Sequence, residues 1–169
     1  MSFWNDDETR GWHDVAQICL NGHVINDSTI QSPQFNQDFC DRCGQPTITQ
    51  CRQCNKPIQG EYHSPGVYVV ASMSAPAFCL HCGAAHPWTK AKLKAAHELA
   101  LELDNLNEAE KEMLSRSFDD LVRDTPSTPV AATRFKKLAV KAGKEGAGAL
   151  KDILVDIVSE TAKKLIWPS

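Results

Sequence analysis

Apolar residues in the second half of the chain repeat at the spacing of α-helices. The first predicted helix spans residues 87–106 and has Thr89 as its N-cap. Its apolar positions are Leu93, Ala96, Ala100 and Leu103. A second helix is predicted from Asn107, because Glu110 follows three residues later as in a capping box. It ends before the stretch 124–129, which is rich in Pro, Ser and Thr.

Two more helices are predicted beyond that stretch. One spans about 130–142, and the last follows the glycines at 143, 146 and 148. The last helix places eight apolar residues on one stripe: Leu150, Ile153, Leu154, Ile157, Val158, Ala162, Leu165 and Ile166. Four helices with short joints over residues 89–169 predict either a compact helical domain or helical hairpins that pack on the first half of the chain.

The first half of the chain has a different pattern, with short β-prone runs such as 67–71. Only two of the thirteen leucines, Leu20 and Leu80, precede residue 90. All seven cysteines lie there instead, among glycines and prolines. A segment with so little aliphatic material needs a further source of stability, and a structural metal supplies it in many small domains.

The cysteines fall into close pairs with the spacing of zinc ligands. The pattern is Cys19-x3-His23, followed by Cys40-x2-Cys43, Cys51-x2-Cys54 and Cys79-x2-Cys82. Such turns favour a residue that tolerates positive φ directly after them, and Gly44, Asn55 and Gly83 occupy these positions. Eight ligands predict two structural Zn²⁺ ions, whereas redox dithiols or disulfides are the alternatives.

An internal repeat indicates how the ligands pair. Residues 19–25, closed by the Phe-Cys-x-x-Cys-Gly run at 39–44, parallel residues 51–58, closed by the same run at 78–83. Site one is therefore predicted as Cys19, His23, Cys40 and Cys43, and site two as Cys51, Cys54, Cys79 and Cys82. A crossed pairing of the first pair with the third, as in RING-type adaptors, is the main alternative.

These patterns predict an α+β chain in three parts. A tail over residues 1–14 precedes a β-rich module of tandem zinc ribbons over 15–88, and the helical region follows over 89–169. Four protein ligands close each zinc, which is typical of structural rather than catalytic sites, so we expect no enzyme activity and no small-molecule substrate. The histidines other than His23 are not expected to act as catalytic bases beside a cysteine nucleophile, since every cysteine is a predicted metal ligand.

Charge separates the remaining functional classes. Residues 1–89 contain four basic and eight acidic side chains, a formal charge of −4, which zinc bound to thiolates makes more negative. Nucleic-acid binding by this module is therefore disfavoured. The favoured interpretation is that the chain acts as a protein-interaction or scaffold module. Its terminal helix has three alternatives: it packs internally, pairs with a partner or another copy, or lies on a membrane.

The third predicted helix has a basic face that favours an anionic partner. Arg134, Lys137, Lys141 and Lys144 recur along one of its faces, opposite its apolar residues. This basic stripe is either a solvated helix face or a contact for an anionic partner, nucleic acid included. A nucleic-acid-associated regulator that binds through helix 130–144 is therefore the second candidate function.

The N-terminus carries an acidic run at 6–8 rather than a basic start followed by an apolar stretch, so it does not resemble a secretory signal. No stretch of the sequence approaches the roughly 20 apolar residues that span a bilayer. The expected location is the cytoplasm, whose reducing conditions suit paired cysteines as metal ligands.

A resemblance to a known family rests on the runs 14–26, 87–89, 120–126, 134–137 and 155–160, together with the two Phe-Cys-x-x-Cys-Gly runs. In these residues the sequence resembles the bacterial family known as domain of unknown function 2321. The resemblance implies a zinc-ribbon N-terminal part with a helical tail, and it implies no established activity.

Overall fold

The computed structural model describes residues 11–66 and 72–168, and the chain divides into two compact units, 1–88 and 89–169. Most of the predicted tail and the β-prone run 67–71 lie outside the described residues. The last residues of the predicted tail belong to the first strand, β1, which is Trp12–Val15. The domain boundary at residue 14 stays a prediction.

The first unit contains two small antiparallel sheets. One pairs β1 with β5 (Gln59–His63). The other has β2 (Gln17–Cys19) at its centre, flanked by β3 (Val24–Asn26) and β4 (Thr47–Ile48). A single 3-10 turn, Pro33–Phe35, lies between β3 and β4. The strands are so short that sheet pairing alone leaves this unit weakly held.

The hydrophobic core of the first unit is small. Ala16, Ile18, Ile58 and Trp88 form it, and four partly buried apolar residues pack against them. Trp88 is the largest of these side chains, and its indole N–H donates to the carbonyl oxygen of Pro76 at 2.8 Å. A core of this size fits the expectation that the unit needs metal ligands as well as apolar burial.

The second unit is helical, and the predicted α+β class with four helices is confirmed. The helices are α1 (Pro87–Leu101), α2 (Glu108–Val122), α3 (Thr128–Leu154) and α4 (Glu160–Ile166). Phe118 of α2 packs edge-to-face against Phe135 of α3 with ring centroids 6.3 Å apart, and Trp167 packs in the same way on Phe135 at 5.9 Å. Among residues 11–66 and 72–168, no helix has the length and apolar character to span a bilayer.

The helix boundaries differ from the predictions at α1 and agree at α2. Helix α1 begins at Pro87, where a missing N–H costs nothing, so the predicted N-cap at Thr89 is wrong. It also ends at residue 101, and Leu103 is buried in the following turn rather than on the helix. The capping box at α2 is confirmed, since Asn107 and Glu110 bond to each other's backbone N–H groups.

The last two predicted helices agree with the structure in part. Helix α3 spans 27 residues but is kinked at Gly143, whose φ of 89° and ψ of 169° are not helical, so the helix is interrupted after residue 142 as predicted. The predicted terminal helix is split, because the turns after Leu154 interrupt it and Ser159 caps a separate α4 by accepting a hydrogen bond from the Ala162 N–H. A continuous terminal helix is therefore wrong, although most of its apolar stripe is buried as expected.

Candidate metal centres

The three Cys-x-x-Cys turns share one backbone geometry. In each, the carbonyl oxygen of the first cysteine accepts a hydrogen bond at 2.8 Å from the N–H four residues later, at Gly44, Asn55 or Gly83. The N–H of that cysteine donates at 2.9 Å to the carbonyl oxygen five residues later. These three closing residues have φ values of 69°, 57° and 71°, as the sequence predicts. The repeat seen in the sequence is thus a repeated turn.

The fourth ligand pair lies on a different element, the β2–β3 hairpin. The N–H of Cys19 donates to the carbonyl oxygen of His23 at 3.0 Å, and the N–H of Gly22 donates back to the carbonyl oxygen of Cys19 at 2.9 Å. Gly22 has a φ of 88°, which closes this turn. The hairpin brings the Cys19 thiol and the His23 ring to the same side, and the backbone N–H of His23 also donates to Sγ of Cys19 at 3.3 Å.

The first cluster consists of Cys19, His23, Cys40 and Cys43. Nδ1 of His23 lies 3.5 Å from Sγ of Cys19 and 3.5 Å from Sγ of Cys40. The sulfurs of Cys19 and Cys43 are 3.7 Å apart. Cys19 and Cys40 are buried, whereas His23 and Cys43 are partly exposed.

The second cluster consists of Cys51, Cys54, Cys79 and Cys82. Sγ of Cys51 lies 3.8 Å from that of Cys82, and Sγ of Cys54 lies 3.7 Å from that of Cys79. Backbone N–H groups two residues after the first cysteine of each turn donate to its sulfur at 3.4 Å. Within each cluster, all four ligand atoms lie within 4.8 Å of one another.

These separations fit a tetrahedral ion. Two sulfurs bound at about 2.3 Å to one tetrahedral zinc are about 3.8 Å apart, and a bound imidazole nitrogen is about 3.5 Å from such a sulfur. A disulfide would instead hold two sulfurs about 2.05 Å apart. All seven cysteines are free thiols, so the observed distances favour metal ligation over disulfides. Both clusters could therefore hold a metal ion.

The pKa values show why these thiols benefit from a cation. Backbone N–H groups of Cys54 and Gln53 lower the pKa of Cys51 to about 7. The backbone N–H of Ala84 likewise favours the Cys82 thiolate, but burial and the neighbouring sulfurs outweigh it and raise the pKa of Cys82 to about 12. Four thiolates so close together repel one another, and a divalent cation between them removes this repulsion.

The first cluster also combines a thiol of lowered pKa with a thiol of raised pKa. A backbone N–H from Gln45 is the largest contribution that lowers the pKa of Cys43, to about 6. Burial acts in the opposite sense on Cys19 and raises the pKa of its thiol. Cys43 is therefore readily ionised, whereas the Cys19 thiolate gains more from a bound cation.

The pairing of the ligands is sequential in the structure. The hairpin ligands lie with the turn at 40–43, and the turn at 51–54 lies with the turn at 79–82. A crossed arrangement would place Cys19 beside Cys51 instead. The RING-like alternative required that crossing, so its structural condition is not met.

Only part of the predicted basic stripe is free to contact an anionic partner. Lys141 forms an ion pair with Glu110 at 2.6 Å, which also lowers the pKa of that carboxyl. The bend at Gly143 separates Lys144 from the helix segment that carries the other three. Arg134 and Lys137 remain together beside an apolar groove of helix α3. The four cations therefore do not act as one continuous stripe.

Asp14 is a buried residue, although it falls within the predicted tail. Its carboxylate accepts hydrogen bonds from the N–H groups of Val15, Ile30 and Gln31 at 2.6, 2.9 and 3.0 Å. Although burial opposes ionisation, these bonds and nearby His63 hold the pKa of Asp14 below its usual value. Asp14 thus fixes the loop after β3, and only a three-dimensional structure reveals its partners.

Gln17 is a second such residue. Its side-chain oxygen accepts from the N–H of Gln37 at 2.9 Å, and its amide nitrogen donates to the carbonyl oxygen of the same residue at 2.9 Å. This pair of bonds holds the backbone three residues before Cys40. Gln17 therefore positions the approach to the first Cys-x-x-Cys turn, although no local pattern marks it.

Comparison with known families matches residues 12–166 to the family described as "Uncharacterized protein conserved in bacteria (DUF2321)". The chain belongs to this family. Its description gives no metal and no activity, so metal binding is inferred from the two clusters alone. No curated protein and no solved structure matches the chain.

Proposed function

We propose that this member of the DUF2321 family is a non-enzymatic zinc protein that acts as an interaction module or scaffold. The observation that carries the proposal is that each cluster supplies four protein ligands at tetrahedral spacing. A zinc held in this way has no open position for water or substrate, so its role is to stabilise the fold. The metal is proposed as zinc because zinc accepts both donor sets, three thiolates with one imidazole and four thiolates.

The role of the metal follows from the size of the core. Four buried residues form the apolar centre of the first unit, and the strands among its described residues have at most five residues. Zinc binding contributes on the order of 10 kcal/mol to the folding of comparable small domains. The two zinc ions would therefore hold the turns that the short strands cannot. A reducing compartment such as the cytoplasm would keep the ligand thiols available.

An interaction role is supported by the surface of the first unit. Several large apolar side chains are exposed there: Trp12, Ile30, Phe35, Phe39, Tyr62 and Leu80. Exposed aromatic and aliphatic residues of this kind are typical of protein contacts. The surrounding acidic charge disfavours a phosphate backbone as the partner. A protein partner or a second copy of the chain is therefore the proposed ligand of this module.

Nucleic-acid binding through the basic helix is less well supported. Lys141 is already paired with Glu110, and Lys144 lies beyond the bend at Gly143. Retention of the full chain on duplex DNA or RNA that falls with salt and with Arg134→Ala and Lys137→Ala would favour this alternative. Its absence would favour a protein partner.

The proposal is tested first by the metal content of the purified full chain. Native mass spectrometry and elemental analysis should find two zinc ions per chain and no iron. Cys40→Ser and Cys82→Ser should each lose one ion and destabilise the first unit. One ion in the unaltered chain, none, or a different metal would overturn the zinc assignment.

The interaction role needs a separate measurement. Cross-linking in native cells should join the unaltered chain to a reproducible protein partner, or to another copy, through the first unit. Cys82→Ser should reduce that yield, while Lys164→Glu, an exposed change in α4, should not. Equal yields for both variants would contradict a role for the zinc-dependent surface.

A further inference from the structure

A groove of about 480 Å³ lies between α2 and α3 in the second unit. Met113 lines it from α2, and Pro129, Val130, Thr133, Arg134 and Lys137 line it from α3. Its volume lies in the range of sites that accept small ligands or a few side chains of a peptide. The groove belongs to the helical unit, and none of its lining residues is a predicted metal ligand.

The wall of the groove is apolar and open to solvent. Val130 is 58% exposed and Met113 is 46% exposed, although both belong to helices with well-buried opposite faces. The Thr133 hydroxyl donates to the carbonyl oxygen of Pro129, so its hydrogen-bonding capacity is used within α3. Methionine adapts its shape to varied partners, and it is common at surfaces that bind peptides.

Two cations border this apolar wall. Arg134 and Lys137 are three residues apart on α3 and therefore neighbours on its surface. Within residues 11–66 and 72–168, neither makes an ion pair, whereas Lys141 further along the helix is paired with Glu110. No carboxylate of the described residues lines the groove. An occupant that complements it must therefore combine apolar groups with negative charge.

The local charge favours a peptide over a nucleic acid. Residues 89–169 contain fourteen basic and thirteen acidic side chains, so this unit has no strong positive field to attract a phosphate backbone. Among the residues that the structure describes, the groove also lacks the aromatic side chains on which unpaired bases stack. Two cations beside an aliphatic wall instead match one or two carboxylates beside apolar side chains.

We propose that this groove binds a short acidic segment of a partner protein, with aliphatic or aromatic side chains next to its carboxylates. The apolar side chains lie against Met113 and Val130, and the carboxylates bond to Arg134 and Lys137. This inference rests on the proposed interaction role and gives it a second surface, together with the chemistry of its partner. It does not depend on the zinc assignment.

The test uses the zinc-loaded full chain and synthetic peptides as probes. One peptide alternates Asp and Glu with Leu and Phe, a second replaces the acids with Lys, and a third replaces the apolar residues with Ser. Fluorescence polarisation should show saturable binding of the first peptide alone. The double variant Arg134→Glu, Lys137→Glu should weaken it at least about tenfold, because attraction becomes repulsion.

Matched controls separate the groove from general surface effects. Val130→Asp should weaken the acidic apolar peptide, whereas Val140→Asp should not, since Val140 is 82% exposed on the same helix and does not line the groove. Lys144→Glu should likewise leave binding unchanged. Circular dichroism of each variant should show unchanged helix content, so that loss of binding is not loss of folding.

Several outcomes would overturn the proposal. They are no saturable binding of the acidic apolar peptide, equal binding of all three peptides, equal effects of Val130→Asp and Val140→Asp, or preferential binding of a duplex oligonucleotide. Zinc content measured on the same samples separates this failure from that of the metal assignment. A chain with two zinc ions and no peptide binding would refute the groove alone.

Discussion

Gly22 lies directly against Trp88, the largest buried side chain of the first unit. A Cβ atom placed on Gly22 would be 3.0 Å from Cβ of Trp88. Gly22 also has a φ of 88°, a conformation that other residues adopt at a cost. The turn that carries two metal ligands, Cys19 and His23, is thus packed on the tryptophan at the centre of the core.

We predict that Gly22→Ala destabilises the first unit by about 2–4 kcal/mol, because backbone strain and contact with Trp88 add together. Gly44→Ala is the matched control, since Gly44 has a φ of 69° but no atom within 4 Å of a new Cβ. It should cost only about 1–2 kcal/mol. Chemical denaturation of the zinc-loaded chain measures both, and equal losses would contradict a packing role for Gly22.

The sequential pairing of ligands predicts opposite results for two double variants. Cys19→Ser with Cys40→Ser alters a single cluster and should leave one zinc bound. Cys19→Ser with Cys51→Ser alters both clusters and should leave none bound at full affinity. Native mass spectrometry distinguishes them. A crossed arrangement would reverse the two results, because Cys19 and Cys51 would then share one ion.

Asp14→Asn should destabilise the chain by about 1–3 kcal/mol at neutral pH, because hydrogen bonds to a charged carboxylate are lost. The lowered pKa of Asp14 fixes the pH dependence. Its stabilisation is complete above the unfolded-state pKa of 3.8 and declines as pH falls through the lower folded-state pKa. Asp14 itself stays ionised from about pH 8 to pH 5, so the variant should remain less stable than the unaltered chain throughout that range.

Urea denaturation across that pH range measures the difference. Asp119→Asn, at an exposed carboxylate of α2, is the control and should change stability by less than about 0.5 kcal/mol. A variant that regains the stability of the unaltered chain within that range would show that ionised Asp14 does not stabilise the fold.

Two glycines of α3 should respond oppositely to alanine. Gly143→Ala should cost about 1–2 kcal/mol, because φ is 89° there and the bend exposes the Ala142 carbonyl, which accepts from Nδ2 of Asn105 at 3.3 Å. Gly148→Ala should stabilise the helix by about 0.5–1 kcal/mol, since its φ is not positive and the space beside it is open. Thermal unfolding followed by circular dichroism tests both. A gain at Gly143 would mean that α3 is straight in solution.

Local patterns in the sequence predicted several features correctly. The capping box at Asn107 and the positive φ of Gly44, Asn55 and Gly83 depend on residues within a few positions of one another. Such features are encoded by short-range sterics and hydrogen bonds, so a sequence is enough to find them. The prediction of a continuous terminal helix was wrong because the apolar stripe continues across a break in the helix, and the position of that break depends on tertiary packing.

Residue types and spacing were enough to predict the ligands, the pairing favoured by the internal repeat, and the change from a leucine-poor to a leucine-rich half. Residues 12–166 were enough to place the chain in its family. The folded chain was needed to choose between sequential and crossed clusters, to show Asp14 buried against the loop after β3, and to show Trp88 against the Cys19–His23 turn. Turn chemistry acts over neighbouring residues, whereas these contacts join residues far apart in the chain, whose meeting depends on how the whole first unit packs.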